Sequence, residues 1–271
     1  MTVLALSHRR QRPAEEPPGA APPPPPEPEE SRPPSDRDRR IAGALAILAA
    51  LVAWYALYDH APDVPTWADV VIVSAGLLPA TFALVWLALP LREARGLLPV
   101  GLAFAVLTAA LHAADWEIAA NFAKLPAVVA VGLWFLRYFE RMSWVVLIAL
   151  LVPLVDAVSV WRGPTRHIVT EQPEVFTALS YAAPVPDDIF ALGLPDVLFF
   201  TLFLAAAARW RLRVGVTWAA MLVALGATVA LAVWTNPFGI GGLPALPALS
   251  IAFLLANADL LWSGLRERES A

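Results

Sequence analysis

The chain contains no cysteine in its 271 residues, which excludes disulfides, thiolate nucleophiles and cysteine-ligated metals. Charge is scarce, at 15% of residues, and the net charge of -4 gives no electrostatic case for nucleic acid as a partner. No H-E-x-x-H, no Ser–His arrangement and no phosphate-cradling glycine loop occurs, which argues against zinc, serine and nucleotide chemistry. The first residues are not expected to form a cleavable signal peptide, because Met1 to Leu6 is too short an apolar run.

What the chain has in excess is apolar surface: 59% of its residues are hydrophobic, more than a soluble domain of this length needs. The excess is gathered into long uncharged runs, and about 20 helical residues suffice to cross the hydrocarbon of a bilayer. The expectation is an all-α polytopic membrane bundle with the lipid bilayer as solvent. Eight segments are predicted, at roughly 41–58, 68–91, 97–114, 118–138, 143–160, 188–208, 214–235 and 244–263. The fourth is interrupted by Lys124 and Pro126.

Residues 1–40 have a different composition, with eleven of the 26 prolines and seven arginines against seven acids. Such a stretch cannot build a core, so a disordered tail with polyproline II character is expected. The remainder divides into N-terminal helices over 41–142, C-terminal helices over 143–265 and a short tail at 266–271. Arginine falls in alternate connections: Arg92 and Arg95, then Arg137 and Arg141, then Arg209, Arg211 and Arg213, and finally Arg266 and Arg268. The turns between (Asp59 to Asp63, Asp115 to Glu117, Thr235 to Gly242) carry no Lys or Arg. Positive connections stay in the cytoplasm, so both termini are expected there, with the plasma membrane as the expected location. Trp67, Trp116, Trp161 and Trp234 fall at the opposite ends, where an aromatic belt would sit. The long connection 161–187 is expected outside, although it carries Arg162 and Arg166.

Two carboxylates stand inside apolar segments, where a charge costs a few kcal/mol. Asp156 lies in Leu154-Val155-Asp156-Ala157-Val158, and Asp196 follows Gly193-Leu194-Pro195. Counted along their segments, both lie ~6 to 12 Å below the same surface, so adjacent antiparallel helices could bring them together. Two carboxylates that close share one proton near neutrality. One could activate water as a base while the other protonates a peptide carbonyl. The same pair could equally serve a proton-coupled carrier, and on these residues alone the carrier or structural reading leads. The final segment opens Pro244-Ala245-Leu246-Pro247, behind Gly239, Gly241 and Gly242. Prolines three apart leave backbone unpaired, which at membrane depth is tolerated only when buried or lining a cavity. A loop capped by proline is the plain alternative.

Taken together, Asp156, Gly193-Leu194-Pro195-Asp196 and Pro244-Ala245-Leu246-Pro247 resemble, in order and in segment, the presenilin and signal peptide peptidase family. These are intramembrane aspartyl proteases of the GxGD type. Residues 162–171 also look like the presenilin segment that follows the first catalytic aspartate, and the likeness covers roughly 143–263. The resemblance implies cleavage of transmembrane peptides by Asp156 and Asp196, with no metal or organic cofactor. It also implies that Gly193, Leu194, Pro195 and the Pro244-Ala245-Leu246-Pro247 stretch shape the site and hold substrate. The chain departs from the family at Val155, where Tyr is usual, at Pro195, where Gly is usual, and in having eight segments rather than nine. The arginine pattern matches the orientation of signal peptide peptidase, so substrates with a cytoplasmic N-terminus are expected. A carrier should show an internal repeat, and none is found; a catalytically inactive binder of membrane segments is the third possibility. Asp259 is expected to be structural, within reach of Arg266 or another polar neighbour. His60, His112, Asp63, Asp115 and Glu117 gather at turns without metal-ligand spacing.

Overall fold

With few polar side chains available, the backbone in these segments must satisfy its own hydrogen bonds, and helix is the local way to do so. The computed structural model describes residues 35–60, 62, 64–162, 167, 171–186, 188–235 and 243–266. Helix α1 runs over Asp36–Leu57. Helices α2 (Thr66–Val71) and α3 (Leu78–Ala88) join through a π-helical turn, Ile72–Leu77, within one helical stretch, Thr66–Glu93. Then come α4 (Leu97–Ala113), α5 (Glu117–Phe135), α6 (Met142–Arg162) and the short α7 (Pro173–Ala178). A hairpin of β1 (Ser180–Val185) and β2 (Asp188–Gly193) leads into α8 (Leu194–Arg209). The chain continues through α9 (Val214–Thr235), α10 (Leu246–Ala256) and α11 (Ala258–Arg266). Among the described residues, five helices are long and apolar enough to cross a membrane, or six if the bent pair α10–α11 counts as one. The protein is thus an all-α membrane bundle with one small hairpin.

Helix α8 is the hub. Every residue from Phe200 to Ala207 is fully buried, which requires a helix that is apolar on all sides. Phe200 stacks on Phe82 of α3 with ring centroids 3.8 Å apart, and Phe203 stacks on Phe253 of α10 at 4.9 Å. On the α5 side the approach is closer still. A Cβ added to Gly132 would lie 3.0 Å from Thr201 and 3.1 Å from the Leu198 carbonyl. Small residues give membrane helices this contact, since lipid supplies no hydrophobic drive between them. Helix α6 is peripheral instead. It packs mainly on α10 and turns Leu150, Leu151, Leu154, Val155 and Val158 outward.

Four expectations change. Residues 35–40 do not belong to the tail: Ser35 caps α1 in a reciprocal capping box with Asp38. The sixth segment does not begin as helix at 188, because residues 188–193 form β2 instead. The long connection holds α7 and β1 rather than loop alone, while its residues 163–166 and 168–170 lie outside the described set. The last segment is not straight: α10 and α11 meet at 69°, at the buried Asn257. Its side chain donates to Thr217 Oγ1 (2.8 Å) and the Phe253 carbonyl (2.9 Å), and accepts from the Arg213 amide (3.0 Å). Those bonds replace helical ones and fix the bend. Asp259 is indeed in an ion pair, with Arg213 as the partner, at 2.6 and 2.8 Å. The fourth segment survives its interruption, since α5 runs through Lys124 and Pro126.

Candidate active site

Asp196 is the third residue of α8, and Gly193 is the residue that caps that helix. The hairpin register explains the local geometry. Leu194 donates its amide to the Leu179 carbonyl (2.9 Å), and Gly193, opposite Ser180, occupies the next, non-hydrogen-bonded position. The Gly193 N–H therefore points off the ladder, and it donates to the Asp196 carboxylate. Pro195, at the second position, has no N–H to satisfy and is accommodated in a first turn. Gly193 has φ -58 and ψ 135, a conformation open to any residue, so its smallness is a matter of space. An added Cβ would sit 2.9 Å from Asp196 Oδ2.

Asp156 reaches across to another helix start. Its Oδ2 accepts the Leu246 amide at 3.1 Å, and Leu246 is the first residue of α10. The residue capping α10 is Ala245, which has no side-chain acceptor, and the next residue, Pro247, has no amide. A carboxylate supplied by α6 thus takes the place of a local cap and meets the positive end of the α10 dipole. Asp156 and Asp196 are both half-buried and lie within electrostatic range of each other. Val155 is 69% exposed and points away from this packed side.

The structure thus gathers Asp156, Asp196, Gly193 and Leu246. Pro244, Ala245 and Pro247 are partly buried at the same helix start, while Gly239, Gly241 and Gly242 lie outside the described residues. Leu194 and Pro195 face elsewhere. With Val128, Val131, Leu179 and Leu198 they line an apolar cavity of about 430 Å³ toward α5. His112 pairs with Glu117 at 2.8 Å, and among the described residues no group of three metal-ligating side chains occurs.

Two polar residues for which no role was expected prove to be buried beside the hairpin. Asn121 and Lys124 of α5 are 5% and 8% exposed. The signal for Lys124 was available, since an ionisable residue inside a membrane segment needs a partner. Next to them Tyr181 hydrogen-bonds with Thr81, and burial pushes its phenol up to about 12. No family model and no curated protein matches the chain.

Proposed function

We propose that the chain is an intramembrane aspartyl endopeptidase of presenilin-like, eight-span design, with Asp156 and Asp196 as its acid–base pair. One observation carries this reading: two carboxylates from different helices, 40 residues apart in sequence, come within electrostatic range at the start of α8 and of α10. A water held between them would be deprotonated by one carboxylate. The other would give its proton to the carbonyl oxygen of the scissile peptide as the tetrahedral centre forms. The Gly193 amide would hold Asp196, and the Leu246 amide would hold Asp156, each in a fixed rotamer. The substrates are transmembrane segments with a cytoplasmic N-terminus, in line with the arginine pattern that puts both termini in the cytoplasm. The exposed Trp67, Trp116, Trp161 and Trp234 are consistent with interfacial anchors for such an arrangement.

A structural reading has its own support, because both carboxylates also satisfy amides at helix starts. Chemistry separates the two. The full-length protein in lipid nanodiscs is incubated with a panel of single-span peptides and products are read by mass. Cleavage by the wild type that disappears in both Asp156→Asn and Asp196→Asn supports the protease. Cleavage surviving in both at the wild-type rate, or no cleavage of any peptide, removes it.

A further inference from the structure

The hairpin that delivers Asp196 is held from behind, and the accounting of its backbone shows by what. In the antiparallel register, residues 181, 183 and 185 of β1 face β2, so 180, 182 and 184 turn their backbone groups outward. Buried inside the protein, such an edge must be satisfied by other protein groups. The Asn121 side chain takes both groups of Ala182: Nδ2 donates to its carbonyl at 2.7 Å, and Oδ1 accepts its amide at 2.9 Å. Lys124 Nζ donates to the Ser180 carbonyl at 2.9 Å and to the Thr177 carbonyl, in the last turn of α7, at 2.7 Å. An ammonium there meets the negative end of α7. Trp54 Nε1 of α1 takes the Pro184 carbonyl at 2.8 Å, and Pro184 has no amide to leave unpaired. Glu117, at the start of α5 and about two turns before Lys124, is an acidic group within electrostatic range of it.

We propose that Asn121 and Lys124 are positioning residues for Asp196, acting through the β1–β2 hairpin. The path is short. Lys124 and Asn121 fix residues 177–182, the Leu179 carbonyl holds the Leu194 amide, and the adjacent Gly193 amide holds the Asp196 carboxylate. Neither α5 residue touches Asp196, so their effect is on where the carboxylate stands and not on its chemistry. A displacement near 1 Å at a reacting group can cost ~100-fold in rate. Helix α5 is well suited to carry the clamp, since Gly132 seats it closely against α8. The catalytic consequence rests on the protease reading, whereas the positioning of Asp196 does not.

The test compares Asn121→Leu, Lys124→Met and Lys124→Arg in the full-length protein in nanodiscs. Asn121→Asp is added as a second variant, which keeps an acceptor for the Ala182 amide but sets a carboxylate oxygen against the Ala182 carbonyl in place of the donor. Hydrogen exchange is read for peptides covering 177–196, and kcat and KM are measured on a peptide that the wild type cleaves. Asn121→Leu and Lys124→Met should speed exchange of the Ala182 and Gly193 amides about tenfold or more. They should lower kcat at least about tenfold with KM changed by less than about twofold. Asn121→Asp should show the same pattern, and Lys124→Arg should restore both readouts toward wild type. Unchanged protection of the Gly193 amide in Asn121→Asp and Lys124→Met overturns the proposal. So does faster exchange with kcat unchanged. A wild type that cleaves nothing removes the protease reading, while the Gly193 amide still decides the clamp.

Discussion

The Asp156 carboxylate accepts the Leu246 amide across 3.1 Å, joining two helices whose contact residues lie 90 positions apart. A helix that begins at Ala245-Leu246-Pro247 has no cap of its own, and α6 supplies one. The same atom is therefore available for chemistry and for stability, and substitutions at Asp156 should separate the two.

Asn caps a helix about as well as Asp, so Asp156→Asn should leave thermal stability within about 0.5 kcal/mol of wild type while abolishing cleavage. Asp156→Ala should lose cleavage and also about 1 kcal/mol of stability, through the uncapped Leu246 amide. Turnover retained in a well-folded Asp156→Asn protein would leave this residue a cap and nothing more.

Gly193→Ala should fold normally, because φ -58 suits alanine. Its methyl would press on Asp196 Oδ2 from 2.9 Å, and the carboxylate must rotate away. The expected result is an unchanged melting temperature with kcat reduced ~10- to 100-fold. Equal activity in the alanine variant would mean that the Asp196 rotamer seen here does not matter for turnover.

Pro195 is exposed and sits in the first turn of α8, where its missing amide costs nothing. Pro195→Gly should keep or raise activity and lower stability by up to about 1 kcal/mol through added freedom of the unfolded chain. A folded but inactive Pro195→Gly protein would show that the proline is required in its own right.

Replacing Pro244 and Pro247 together by alanine should let α10 grow toward its N-terminus. The Leu246 amide would then turn to a helical carbonyl and leave Asp156. Weaker binding of a transition-state mimic, with both carboxylates in place, is the expected outcome of titration. Undiminished affinity would return these prolines to capping a loop.

Reporters fused after Ala271 and inserted near Glu171 should lie on opposite sides of the membrane, with the C-terminal one in the cytoplasm. Matched peptides of both orientations, compared in cells, should then be cut when the N-terminus is cytoplasmic. Cleavage restricted to the opposite orientation would refute that preference and leave the dyad assignment standing.

Much of this protein is written in its composition. Long apolar runs force helix, because no other local structure satisfies the backbone away from water, and each of the eight expected segments contains helix. The two aspartates and the Pro244–Pro247 stretch were visible as charges and prolines where neither is cheap. Pairing across the fold was not visible. The partner of Asp259 is Arg213 and not a neighbour on its own helix, because the bend at Asn257 turns α11 toward the start of α9. Residues 188–193 read as the start of a helix by their apolar character. They form a strand because β1 offers them a ladder and α5 holds β1 in place. Asn121 and Lys124 gave only a hint of misplaced polarity, and their partners are backbone carbonyls and an amide that no side-chain pattern reveals. Composition decides which segments leave water, since that is a sum over residues. Where each buried polar group finds its partner depends on how helices far apart in sequence pack, and that only the tertiary structure decides.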